Sequence, residues 1–373
     1  MKKKRKILIV TLIILVILII GIALAIKFNV FGKKATQLQK TANINVVPTM
    51  QDEITADSSW CGTFQLVWND MKNEVVKKDI VFTPQEKMAE NLNKETFTED
   101  MISEEYYYKT YGLKTLELKE EIEKGIKEKF NQTSDILDDF DWSEESLDHE
   151  GDDIKRYFFY TMLYRKFEFL QEFDSLENGK FGKDYDNVAY FGIDENTKNS
   201  VGNQIDVLYY NSQDDFAILI HTKTEDEVIF CKNPQGSNFE EIYENMEKEK
   251  EQYTGSRNFE EEDEFKAPKL TIDEKRDYTE LEGKRFPTAD PEYPEGEISK
   301  AIQTVQFSLD EKGGEIKSEA AIDSFIAQSV ISEPEKKTPR YFYVDDTFAI
   351  FLREEGKDMP YFVGRVEDIT KFQ

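Results

Sequence analysis

Cysteine and histidine are scarce in this sequence, and their scarcity limits the chemistry that the chain can perform. Among 373 residues there are two of each, Cys61, Cys231, His149 and His221. Two cysteines are too few for a disulfide framework, and we expect two buried free thiols rather than a pair. The isolated histidines complete neither a zinc-ligand spacing nor a cysteine–histidine nucleophile pair. We therefore expect no metal, no cofactor and no enzymatic activity.

Positive charge is in deficit, because 48 Lys and Arg face 76 Asp and Glu, a net charge of −28. Such a surface repels a phosphate backbone, so nucleic acid is not an expected partner. The acidic run Glu260–Glu264 lacks the ligand spacing of a calcium loop, which favours a solvated turn over a calcium site. The 39% hydrophobic and 13% aromatic content is sufficient for a sizeable core.

Acidic residues are missing from residues 1–34, which hold eight Lys and Arg. The run Ile7–Ile26 carries no charge and would span about 30 Å as a helix, the thickness of a hydrocarbon core. The cationic cluster Lys2–Lys6 predicts a cytoplasmic N-terminus and an extracellular C-terminal domain. We favour an uncleaved single-pass anchor. A signal peptide with a cleavage site near Ala23–Ala25, followed by secretion, is the alternative.

The remaining chain is predicted to form one folded domain after a linker. The polar residues after the anchor show no sustained period, so we assign residues 1–28 to the anchor, 29–56 to the linker and 57–373 to the domain. Helical spacing of apolar residues predicts three helices, over Ser58–Met71 with serine caps, Leu116–Asn131 and Phe239–Tyr253. Val207–Ile220 is predicted to form two strands about a polar turn, with His221 at the end of the second.

A strand followed by two glycines is the most distinctive pattern in the chain. Residues Thr304–Leu309 alternate between apolar and polar side chains, which predicts a half-buried strand. Gly313 and Gly314 follow and free the backbone to turn. The alternation then continues, with small or apolar residues at every second position from Gly314 to Ile322. One interpretation of this pattern is a hairpin with a Gly-Gly corner. The other interpretation is a segment that lies outside the sheet at first and enters it later as a strand.

Several stretches of the chain resemble the serpins. Asp310–Glu315 resembles the hinge of the reactive loop, and Asp79–Pro84 resembles the start of the second helix. Tyr157–Phe173 resembles the central strand, and Phe265–Ile272 resembles a later one. Phe348–Leu352 and Tyr361–Val366 resemble the closing hairpin. The resemblance implies an α+β fold: a single serpin-like domain with a large central β-sheet, smaller sheets, about eight helices and an exposed reactive loop, in a membrane-anchored, bacterial-type member.

The resemblance also implies which residues are functional. The hinge of the reactive loop would comprise Glu311, Lys312, Gly313, Gly314, Glu315, Ile316, Ser318 and Ala320. Two counts along the loop give two candidate scissile bonds, Ala327–Gln328 and Lys336–Lys337. The region where the sheet opens would contain Thr83, Glu86, Thr161 and Gln303, each of which departs from the family's usual residue.

In function, the resemblance implies a suicide-substrate inhibitor of an extracellular serine protease, with a cysteine protease as a further possible target. Cleavage of the loop would be followed by its insertion into the central sheet as a new strand. The altered residues of the opening region favour an alternative, a non-inhibitory extracellular binding protein on the same fold. An acidic surface adhesin is a third interpretation.

Overall fold

The computed structural model describes residues 44–134, 137–138, 140–142, 154–194, 201–315 and 338–373. Within these ranges, the chain forms an α+β fold with three sheets. About eight helices were expected, but the described residues contain four α-helices, a π-helical turn and short 3-10 turns. No described helix is long and apolar enough to cross a membrane, and the predicted span Ile7–Ile26 lies outside the described ranges.

The four helices are short, and two of them match their predicted ranges closely. They are α1 (Thr63–Asp70), α2 (Lys87–Leu92), α3 (Leu116–Phe130) and α4 (Phe239–Gln252). In α3 the predicted stripe of apolar residues from Leu118 to Phe130 is buried. Thr115 caps its first turn by accepting a hydrogen bond from the Leu118 N–H, and Asn131 ends it in the left-handed conformation. The predictions for α3 and α4 are confirmed.

The first sheet has the strand order β1-β2-β18-β17-β10-β9-β8 and forms much of the core. Its strands are β1 (Asn45–Val46), β2 (Ser58–Cys61), β8 (Ile205–Ser212), β9 (Asp215–His221), β10 (Asp226–Lys232), β17 (Phe348–Glu354) and β18 (Phe362–Val366). The predicted pair β8–β9, with His221 at its end, and the closing hairpin β17–β18 are confirmed. Cys61 and Cys231 are both free and buried, as expected.

Two predictions near the start of the domain are wrong. Ser58 and Ser59 do not cap a helix, because they lie in β2 and pair with β18, and α1 begins after Gly62. The predicted linker does not extend through residues 44–56, because β1 pairs in parallel with β2. Ile44 and Met50 are buried in the core beside it, so these residues belong to the folded unit. Residues 29–43 lie outside the described ranges.

The second sheet has the order β16-β11-β7-β6. Its strands are β6 (Asp174–Phe181), β7 (Tyr185–Gly192), β11 (Glu264–Pro268) and β16 (Tyr341–Tyr343). The single strand predicted over Phe265–Ile272 is divided at Lys269, because β11 belongs to this sheet and the next strand joins the main sheet.

The main sheet has the order β3-β4-β14-β15-β5, with β12 and β13 on the other edge of β14. Its strands are β3 (Tyr107–Leu113), β4 (Ile154–Leu163), β5 (Lys166–Glu168), β12 (Leu270–Asp277), β13 (Arg285–Pro287), β14 (Glu295–Asp310) and β15 (Gly313–Glu315). Val305, Phe307 and Leu309 of β14 are buried on one face, which confirms the predicted alternation. The long strand β14 brings the predicted hinge to the end of this sheet.

Candidate functional site

The described part of the predicted hinge, residues 311–315, forms a tight hairpin with the end of β14. Asp310 pairs with Gly313, and Ser308 pairs with Glu315, so Glu311 and Lys312 form the turn. The Lys312 N–H donates to Oδ1 of Asp310 at 2.8 Å. The glycines therefore lie in β15 itself rather than at the corner of the hairpin.

Gly313 and Gly314 are required because β5 lies directly against β15. Gly313 has a φ of 142°, and a Cβ there would lie 2.3 Å from the carbonyl oxygen of Phe167. A Cβ on Gly314 would lie 2.2 Å from the ring of the same Phe167. The ring of Phe167 thus occupies the space that a side chain at position 314 would need.

An ion pair and two backbone hydrogen bonds hold the turn in place. Nζ of Lys269 lies 2.5 Å from Oε2 of Glu311. Partial burial works against ionisation of Glu311, but the hydrogen bond from Lys269 holds the pKa of Glu311 below its ordinary value. The N–H groups of Phe169 and Phe173 donate to the carbonyl oxygens of Lys312 and Glu311, at 2.9 Å each. The turn that precedes the 316–337 segment is therefore held against Lys269 and the chain after β5.

The far end of the 316–337 segment is fixed by Arg340. Its Nε and Nη2 donate to the carboxylate of Asp263 at 3.2 and 2.6 Å, a bidentate arrangement. Its Nη1 also donates to the carbonyl oxygen of Ser256 at 2.7 Å. The Asp263 side chain is only 2% exposed. The prediction of a solvated turn over Glu260–Glu264 is therefore wrong at Asp263. The side chain of Asp263 is buried in its ion pair with Arg340.

Between β4 and β14 the main sheet has an unpaired region, which we call the gap. On one edge of β14, β4 pairs with residues 295–301 and β15 pairs with residues 308–310. The strands β12 and β13 lie on the opposite edge. Among the described residues, no strand pairs with residues 302–307 of β14 or with residues 160–163 of β4 across this gap. The backbone of β15 points along β14 into the gap.

Two of the four predicted opening residues lie on the strands beside the gap. Thr161 of β4 is buried, and within the described part of the chain its hydroxyl has no hydrogen-bond partner. Gln303 of β14 is also buried. Its Nε2 donates to the carbonyl oxygen of Cys61 at 2.9 Å, and its Oε1 accepts from the hydroxyl of Tyr278 at 2.8 Å. Gln303 thus ties β14 to the end of β2.

The other two opening residues lie at the start of α2. Thr83 is exposed. Glu86 immediately precedes the helix and forms an ion pair of 2.5 Å with Lys284, in the connection between β12 and β13. Neither side chain is placed in the gap.

The remaining predicted residues lie outside the described ranges. They are Ile316, Ser318 and Ala320 of the hinge and both candidate scissile bonds, Ala327–Gln328 and Lys336–Lys337. Their assignments remain predictions.

The helix α3 contributes to an apolar cluster on one face of the main sheet. Ile122 and Ile126 of α3 belong to the same cluster as Phe158 and Tyr160 of β4 and Ile302 of β14. The cluster therefore contains residues from the strands on both sides of the gap.

Sequence reasoning named Glu311 as a hinge residue but missed its partner Lys269 and the pair of Arg340 and Asp263. Lys269 and Glu311 are far apart in the chain, and Arg340 and Asp263 are separated by 77 positions. Asp263 is one of five consecutive acids, so no local pattern distinguishes it. The aromatic residues of β16, which come directly after Arg340, are a local sign that Arg340 lies at the start of a strand.

The described residues define a class of α+β protein in which a long strand turns back toward an unpaired region of its own sheet. No family model matches the chain, and no curated protein matches it. Among solved structures, the chain is similar to Serpin48 of the insect Tenebrio molitor, at 18% identity and a TM-score of 0.38, over 66% of this chain and 63% of that one.

Two further solved structures are similar to the chain. Human thyroxine-binding globulin, complexed with its hormone, matches at 12% identity and a TM-score of 0.40, over 68% of this chain and 64% of that one. A serpin from the trematode Schistosoma haematobium matches at 12% identity and a TM-score of 0.38, over 67% and 62%. The chain thus spans less than two thirds of the length of each of these structures.

Proposed function

We propose that the chain is a serpin-like protein whose 316–337 segment is bait for an extracellular serine protease and enters the main sheet after cleavage. The gap beside β14 carries this proposal, because β15 ends next to it and points along β14 toward it. Extending the observed register would place Ile316 beside Phe307, Ser318 beside Val305 and Ala320 beside Gln303. The small or apolar residues of the segment would then face the core, and the charged ones would face away.

Insertion has a clear driving force in this geometry. Burying one isoleucine contributes roughly 1.5–3 kcal/mol. Each new ladder hydrogen bond contributes about 0.5–1.5 kcal/mol net. The protease would attack the segment through its activated serine and form an acyl-enzyme. The chain itself acts as a substrate and supplies no catalytic group.

We further propose that Ile7–Ile26 anchors the chain in the membrane with the folded unit outside the cell. The support is the sequence itself, a long uncharged run preceded by the cationic cluster Lys2–Lys6. A protease that meets this chain would then be extracellular.

A second function, a non-inhibitory binding protein, is favoured by one specific observation. Gln303 holds β14 through buried hydrogen bonds to Cys61 and Tyr278. A further contact, the ion pair of Glu86 and Lys284, ties the start of α2 to the β12–β13 connection. The contacts of Gln303 resist movement of β14, and the ion pair holds the neighbouring connection to α2.

A panel of serine proteases, read on a denaturing gel, separates the two functions. A covalent complex larger than the chain supports inhibition. Clean cleavage without a complex shows a substrate that does not trap the enzyme. Ile316→Arg should abolish the complex, because insertion would bury an unpaired charge. Glu315→Arg is the matched control, because successive positions of a strand alternate between its two faces and position 315 would therefore be opposite to position 316. This variant should retain the complex.

A further inference from the structure

Among the described strands, β3 forms one edge of the main sheet, and its outer backbone groups pair with none of them. The carbonyl oxygen of Tyr106 accepts from the N–H of Tyr164, and the Lys114 N–H donates to Arg156, so even-numbered residues bond toward β4. The N–H and C=O groups of Lys109, Tyr111 and Leu113 therefore point outward, as does the C=O of Tyr107, whose N–H donates to the carbonyl oxygen of Glu104. No other described strand pairs with this edge.

A groove of about 900 Å³ runs beside this edge. Its floor is the first part of β3. Glu99, Asp100 and Glu104 line one wall, and Gly125 and Glu128 of α3 line the other. A Cβ on Gly125 would lie 2.4 Å from the ring of Tyr108, so the glycine leaves room for that ring beside α3. Tyr107, Tyr108 and Lys109 of β3 line the groove between the two walls.

The groove carries an excess of negative charge. Nζ of Lys109 lies 2.5 Å from a carboxylate oxygen of Asp70 and 2.5 Å from one of Glu99, so its charge is compensated within the protein. The side chains of Glu104 and Glu128 are 88% and 69% exposed. Lys129 approaches Glu104 only to 4.0 Å, a weak contact in water. The exposed carboxylates therefore face a solvent-filled groove.

We propose that the β3 edge binds an extended, basic segment of a partner protein, which adds to the main sheet as a further strand. The outward backbone groups supply hydrogen bonds for strand addition, and the acidic walls select Lys or Arg on the incoming chain. A second copy of this chain fits poorly, because its own β3 edge carries the same acidic walls and the chain has a net charge of −28. This inference does not depend on the proposed function.

The binding test uses the full chain in a non-ionic detergent and a short fluorescent peptide in which Lys alternates with Thr and Val. Anisotropy should rise on binding, and the signal should fall as salt is added. A peptide with Glu in place of Lys should not bind. The triple variant Asp100→Asn, Glu104→Gln and Glu128→Gln should bind about tenfold more weakly. The control variant Glu177→Gln, Asp186→Asn and Glu251→Gln, exposed acids on other elements, should bind as the unmodified chain does.

Backbone methylation tests whether the peptide binds as a strand. In a paired strand only every second N–H faces the neighbouring strand. Of two peptides that carry N-methyl groups on alternate sets of residues, one should therefore lose binding and the other should keep it. If both peptides bind equally well, or the triple variant binds the basic peptide unchanged, the proposal is overturned. A carbodiimide crosslink from Lys33 or Lys34 to Glu104 would instead assign the groove to this chain's own N-terminal segment and would also overturn it.

Discussion

Asp263 and Lys269 stand immediately before and after the five-residue strand β11, and each binds a residue that flanks the 316–337 segment. Asp263 holds Arg340 after the segment, and Lys269 holds Glu311 before it. The strand between them is paired on both edges, with β7 and with β16. The two attachment points are therefore fixed by one rigid strand, whatever conformation the segment adopts.

Cleavage within residues 327–337 should raise the thermal stability of the chain. Insertion would bury Ile316 and add ladder hydrogen bonds, which should raise Tm by about 10 °C or more. Calorimetry before and after limited proteolysis measures the change. If the cleaved and intact proteins melt at the same temperature, the segment does not insert, and the binding function becomes the better proposal.

Lys269→Met should weaken the hairpin in a pH-dependent way. The pKa of Glu311 is lowered in the folded protein, so the ion pair stabilises the folded protein fully at a pH above the ordinary value of 4.5. This stabilisation is lost as the pH falls through the lowered pKa. The partly exposed pair is worth about 0.2–1 kcal/mol at neutral pH. Urea unfolding should show the wild type and the variant differing at pH 7 and converging in acid. A difference that stays constant with pH would contradict the assignment.

Arg340→Met should destabilise the fold far more than the Lys269 variant does. Removing the arginine leaves the carboxylate of Asp263, which is 2% exposed, without its partner, at a cost of about 3–5 kcal/mol. The double variant Arg340→Met with Asp263→Leu removes both charges and should recover much of this loss. Equilibrium unfolding measures both. Equal stability of Arg340→Met and wild type would show that the pair does not hold the far end.

Gly314→Ala should destabilise the hairpin because its methyl group would overlap the ring of Phe167. The cost is expected at about 1–3 kcal/mol. In a double-mutant cycle, Phe167→Leu should relieve part of this cost, so the two substitutions should not be additive. Additive effects would mean that the clash does not involve Phe167.

His221 should show a raised pKa that NMR titration can follow. Its Nε2 lies 2.9 Å from Oδ2 of Asp206, and this hydrogen bond raises the pKa of His221 despite partial burial of the ring. The resulting stabilisation is complete below the ordinary value of 6.5 and is lost as the pH rises through the raised pKa. Asp206→Asn should return the titration to its ordinary range. A wild-type midpoint at or below that value would rule out the contact.

Local patterns predicted the elements whose residues carry their own periodicity. The stripe from Leu118 to Phe130 defined α3, and the alternation of Val305, Phe307 and Leu309 defined part of β14. The misses have a common cause, because each depends on a distant partner. Ser58 and Ser59 resemble helix caps until β18 pairs with them. The glycines after β14 resemble a corner until the ring of Phe167 is found against them.

The apolar cluster that contains α3 and residues of both β4 and β14 affects how fast a strand could enter the gap. A new strand between β4 and β14 would separate them by one further interstrand spacing, roughly 4.8 Å. The apolar cluster of α3 with Tyr160 and Ile302 would have to come apart before the strand is seated. The strength of this cluster would then influence how fast the sheet accepts a strand. A trapped acyl-enzyme persists only if insertion is faster than its hydrolysis, so weaker packing of the cluster would favour an inhibitor and stronger packing a substrate.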